Sequence, residues 1–112
     1  MKISKEEALE IFRGTTVIHN VDTYLVLACS AIVKELYDQL PGGVQYRIVF
    51  GTKYPDGYPR GDMRYWEYFV DVSDQDEEYP ETREDGMVHC IEVFPVTYTA
   101  YVRKNASDND SI

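Results

Sequence analysis

The spacing of apolar positions changes along the chain, and each change marks an element. Ser4-Lys5-Glu6-Glu7 has the form of a capping box, in which a serine hydroxyl and a glutamate three residues on satisfy each other's amides. Ala8, Leu9, Ile11 and Phe12 follow at helical spacing, and Gly14 can take the left-handed conformation that closes a helix, so a short helix is predicted here. After an extended link from Thr15 to Asn20, with Asn20 or Asp22 as N-cap, Leu25, Ala28, Cys29, Ile32, Val33, Leu36 and Leu40 recur at three- and four-residue steps. This spacing predicts a second helix from about Thr23 to Leu40. No charge interrupts Tyr24 to Val33, so most of its circumference, Ile32 included, is expected to be buried, and Pro41-Gly42-Gly43 stops it.

From Val44 the period becomes two. Val44, Tyr46, Ile48 and Phe50 alternate with Gln45 and Arg47, which predicts a strand with one buried face. A turn-rich connection, residues 51–62, contains Pro55-Asp56-Gly57. In the next strand, Met63 to Val72, Trp66, Tyr68, Val70 and Val72 share one face, and Tyr65, Glu67, Phe69 and Asp71 make a mixed far face. The acidic stretch Ser73 to Asp85, with Pro80, has no apolar period and reads as a loop or partly disordered. Met87 to Phe94 returns as a strand, bent at Pro95, and Val96 to Arg103 continues extended.

These elements predict an α+β fold, with two N-terminal helices packed on one face of a three- to four-stranded antiparallel sheet. One domain spans residues 1–104, and the polar tail 105–112 is expected to be disordered. In general plan this is similar to cystatin-like and nuclear-transport-factor-like cones, a likeness of architecture with no shared motif.

Charge narrows the function classes. The chain has 11 Lys+Arg against 20 Asp+Glu, a net charge of −9, which opposes direct binding to nucleic acid or anionic lipid. Most of the excess lies in residues 71–85, where Asp71, Asp74, Asp76, Glu77, Glu78, Glu81, Glu84 and Asp85 are balanced by Arg83 alone. No apolar run approaches the ~18 residues of a membrane span. The first residues lack the apolar core of a signal peptide, so a cytoplasmic location is expected.

Catalytic and metal chemistry find little to stand on. Asp74, Asp76 and Glu78 alternate as calcium ligands do, but the turn glycine and the distal bidentate glutamate are missing. Arg60-Gly61-Asp62 reads as a turn built around an available glycine. His89 and Cys90 are strand neighbours that point to opposite faces, His19 and Cys29 have no partner in sequence, and no nucleophile, phosphate-loop or zinc motif occurs. The expectation is no enzyme, no cofactor and no metal site.

The 10 tyrosines carry more information. Tyr58, Tyr65 and Tyr79 are among the aromatic residues that flank or enter the hairpin and the acidic segment, and tyrosine is enriched where proteins grip one another. Together with the eight acids they form the predicted partner-binding set. The leading reading is a non-enzymatic inhibitor, of the immunity, antitoxin or phage counter-defence type, whose carboxylates take the place of phosphates on a basic, nucleic-acid-handling protein. A small-molecule pocket under the helices and an accessory subunit of a larger assembly are the alternatives.

Overall fold

The computed structural model describes residues 1–15, 17–21, 24–53, 63–96, 99–101 and 103–104, with only the backbone for 17–21, 24–30 and 53. Tyr58, the Arg60-Gly61-Asp62 turn, the tail 105–112 and the side chains of His19 and Cys29 lie outside the described residues.

The first helix forms as its sequence predicts. In α1 (Lys5–Phe12) the Glu7 amide donates to Ser4 Oγ at 3.0 Å and the Ser4 amide to Glu7 Oε1 at 2.9 Å. At the far end Gly14 sits at φ 90°, while the Gly14 amide reaches the Ile11 carbonyl and the Thr15 amide the Glu10 carbonyl. That pair of bonds satisfies carbonyls the helix leaves free, and a side chain at Gly14 would be strained.

The second predicted helix is a strand, and this overturns the two-helix fold. Residues 24–40 form β3 (Tyr24–Leu40), which pairs antiparallel with β2 (Val17–Val21) and with β4 (Gly43–Lys53). Three register shifts interrupt the β3–β4 ladder, each adding one residue on the β3 side. Positions 28, 31, 34, 36 and 39 therefore stand opposite Thr52, Phe50, Ile48, Tyr46 and Val44, which share one face of β4. Spacings of three, three, two and three along a bulged strand imitate the steps of a helix. Ile32 lies at one of the bulges and is 54% exposed. The residues read as a helix stop make a tight hairpin instead: Leu40 pairs with Gly43, Pro41 fixes the first corner, and Gly42 takes the second at φ 81°.

Next come β5 (Arg64–Ser73), β6 (Glu78–Pro80), β7 (Val88–His89) and β8 (Ile91–Val93). The large antiparallel sheet runs β2-β3-β4-β5-β6, and β8 shares the free edge of β5 with β6. A separate two-stranded sheet joins β1 (Lys2–Ile3) to β7. Between β7 and β8 the Cys90 amide donates to the Met1 carbonyl at 2.8 Å. No strand is formed by the described residues beyond Val93, and of the extension expected over Val96 to Arg103 residues 97, 98 and 102 lie outside the described residues. On the outer side of β3, β2 reaches only Ala28, and no strand among the described residues lies beside 29–40.

The main core occupies one face of this sheet, and Val49 is buried on the other. Ile48 and Phe50 of β4 and Tyr68 and Val70 of β5 are covered by Ala8, Ile11 and Phe12 of α1 and by Ile3, Val88 and Cys90. Phe50 and Tyr68 meet edge to face with centroids 5.7 Å apart. The Tyr68 hydroxyl donates to the Ala8 carbonyl at 2.5 Å, which ties helix to sheet. Lys34 reaches across from β3 to donate to the Phe12 carbonyl at 3.3 Å, with its ammonium 3.8 Å from the Phe12 ring centroid. A cation thus caps the negative end of a helix that has no basic residue in its own last turn.

Burial pushes the Cys90 thiol up to about 12, so little thiolate exists at neutral pH. Cys90 is therefore expected to resist a maleimide at pH 8 in the native protein and to react once urea unfolds it. Site-resolved mass spectrometry in a Cys29→Ser background measures this, and rapid native labelling would show that the Cys90 packing is loose.

Candidate functional site

The acidic segment is built structure, and its charges do not form one patch. Ser73 Oγ accepts from the amides of Gln75 and Glu77, and Asp76 turns the chain at φ 63°. The chain then runs back along β5 as β6, where the sequence suggested a loop or partial disorder. Because opposite residues of an antiparallel pair share a face, Glu78, opposite Val72, lies on the helix-bearing side, where its carboxylate pairs with Arg13 at 2.6 Å. Asp85 is spent on another clasp, 2.8 Å from His89 Nε2 and 3.5 Å from Lys2 Nζ.

The other acids sort as follows. Asp74, Asp76, Glu77 and Glu84 are exposed, the first three at the β5–β6 turn. Asp71 lies on the opposite face of the sheet and accepts from Gln45 Nε2 at 3.0 Å. Glu81 is beside them, with Gln45 Nε2 at 3.5 Å as its contact. Tyr79, opposite Asp71, shares that face and is 53% exposed. Its hydroxyl donates to Glu77 Oε2 at 2.7 Å, and that bond raises the phenol's pKa above its ordinary value. Tyr65 is partly buried near the other end of β5, roughly 20 Å from Asp71 at the usual strand rise, so it does not join them.

What gathers around Tyr79 is the face of the sheet that α1 does not cover. Tyr37 of β3 packs on Phe69 of β5 with centroids 4.8 Å apart, and Tyr37 is 60% exposed. Arg47, opposite Phe69, places Nε 2.5 Å from Glu67 and Nη1 3.1 Å from Glu35. These hydrogen bonds to Glu67 and Glu35 hold the guanidinium's pKa above its ordinary value. One guanidinium shared by two carboxylates leaves a negative surplus beside exposed rings. Sequence reasoning missed Glu35, Tyr37, Arg47, Glu67 and Phe69 as site residues. For Glu67 and Phe69 the mixed far face of β5 was the available signal, whereas Glu35 and Tyr37 were hidden by the helical reading of β3.

Asp85 is one of the carboxylates that tie stability to pH. The Met87 amide, with His89 and Lys2 in support, holds its carboxyl below the usual carboxylate range. A group depressed in the folded state stabilises the fold above its unfolded pKa, and that contribution is lost as pH falls through the lower folded value. Wild type is therefore expected to lose urea resistance below about pH 4, and Asp85→Asn to flatten part of that loss. Equal acid sensitivity in both proteins, read from urea midpoints at pH 7 and pH 3, would remove Asp85 from the account.

Among the described residues no group of three or more His, Cys, Asp or Glu side chains is placed to hold a metal, and no helix is long and apolar enough to cross a membrane. Compared with known proteins, the chain matches no family model, and no curated protein and no solved structure is significantly similar to it.

Proposed function

We propose that this protein is a small non-enzymatic inhibitor that works in the cytoplasm without a cofactor and blocks a basic, nucleic-acid-handling protein. The uncovered face of its sheet and the adjoining β5–β6 turn make the contact. One observation carries the reading: Tyr37, Phe69 and Tyr79 stand on an open face among Glu35, Glu67, Asp71 and Glu81. Aromatic side chains supply contact area at low entropic cost, and surplus carboxylates steer a cationic partner and exclude anionic ones. The turn acids Asp74, Asp76 and Glu77 extend the negative field past the sheet edge.

The test compares wild type with a variant in which Asp74, Asp76 and Glu77 are all Ser. Glu78 is left in place because it holds Arg13. A basic protein captured from the native host by wild type is expected to bind the variant with a lower on-rate. The wild-type on-rate should itself fall steeply with salt, since exposed charges are screened beyond about 8 Å at physiological ionic strength. Tyr79→Ala should act mainly on the off-rate. An on-rate indifferent to both salt and the three substitutions would end the electrostatic reading.

A further inference from the structure

Between β6, which pairs with β5 at Val70 to Val72, and β8, which pairs at Tyr65 to Glu67, the edge of β5 carries a cavity of about 110 Å³. Glu67, Phe69, Glu81, Thr82, Arg83 and Ile91 are among its walls. Glu67, Phe69 and Ile91 bring it to the uncovered face, since Ile91 stands opposite Glu67 and the Glu81 amide donates to the Phe69 carbonyl at 2.9 Å, while Tyr68 and His89 complete the lining.

Size and charge together narrow what fits. Cavities that enclose a drug-sized molecule run to roughly 300–1,000 Å³, so this one has room for a side-chain head group. Of its charged walls, Glu67 shares Arg47 with Glu35 and His89 meets Asp85, while Glu81 and Arg83 each make no ion pair among the described residues, which leaves the Glu81 carboxylate able to accept. A planar cation laid against Phe69 would gain a ring face and a carboxylate fork, which suits a guanidinium better than an ammonium.

We infer that the cavity receives the guanidinium of an arginine presented by the basic partner. The inference rests on the uncovered face being the partner surface, and it names the anchoring chemistry there. Glu81 accepts from the guanidinium, Phe69 stacks on it, and Thr82 and Ile91 enclose the alkyl stem. Arg83, which has no ion-pair partner among the described residues, stands against the incoming charge at the cavity wall.

The probe is N-acetyl-arginine-N-methylamide, followed by amide chemical shifts, with the citrulline analogue as a neutral control of the same shape. Saturable shifts at Phe69, Thr82 and Ile91 are expected with arginine. Citrulline should bind about tenfold more weakly, as should arginine to Glu81→Gln and to Phe69→Leu. Arg83→Gln should tighten binding. The spectra themselves report that each variant is folded. Equal binding of citrulline, indifference to Glu81→Gln, or competition by inorganic phosphate at the same amides overturns the inference. If these amides stay unmoved while replacing Asp74, Asp76 and Glu77 still slows the partner, the arginine anchor fails and the broader reading stands. If the probe binds but the partner ignores Glu81→Gln, the cavity is not the partner's anchor and the inference fails as well.

Discussion

Phe50→Ala is expected to lower stability by about 3 to 5 kcal/mol, because a fully buried ring is removed from a core that cannot collapse around the gap. Phe50 has no exposed surface, and its partners belong to separate elements. Tyr68 meets its ring edge on, Ala31 and Trp66 stand across the ladders, and Trp66 is itself pinned by its indole N–H to Thr52 Oγ1 at 2.9 Å. Relaxation toward the cavity would have to move two strands at once. The urea midpoint should fall while the slope of the transition stays constant, the signature of a changed stability with an unchanged unfolded state. A loss below about 1 kcal/mol would mean that the layer between α1 and the sheet is far less well packed than described.

Gly43→Ala should be the most damaging change among the turn residues. A Cβ built on Gly43 overlaps the carbonyl oxygen of Val72 and comes within 3.0 Å of the Ser73 Cα. Both obstacles are backbone, so no side-chain rotation relieves the clash. Overpacking commonly costs about 1 to 3 kcal/mol, and here the upper end is expected, since the β4–β5 ladder must open at Gly43 opposite Ser73. The same substitution at Gly42, where a Cβ meets nothing within 4 Å, isolates the separate cost of a positive φ. Comparing the two variants in urea separates collision from conformational strain, and a Gly43 variant as stable as wild type would show that the two strands part easily at that end.

The contrast between α1 and β3 explains which parts of the fold can be read from the chain. For α1 every level agrees: capping residues, apolar spacing and closing glycine each specify the same element. For β3 they compete. Ten uncharged residues, Tyr24 to Val33, satisfy helical and extended spacings alike, and bulges shift the faces by one residue each time, so a period of two cannot be seen. Pairing with β4 across the hairpin settles the choice, and single-residue preferences do not encode it. The acidic segment was legible as a concentration of charge but not as a surface. Glu78 and Asp85 turned out to fasten Arg13, Lys2 and His89, and only the strand register shows that Asp71, Tyr79 and Glu81 share a face with Phe69 and Arg47.

The three extra residues in β3 bear on how this molecule behaves at high concentration. Beside residues 29–40 no strand among the described residues continues the sheet, and a straight ladder there would offer evenly spaced amides and carbonyls to the next copy, then to another, without limit. Each bulge puts one peptide out of step, so an approaching regular strand can match the edge over only a few residues before its hydrogen bonds miss. Lys34, already committed to the end of α1, further fixes the shape of that border. The irregularity that disguises the strand in the sequence thus works against edge-to-edge addition of further copies at this border of the sheet.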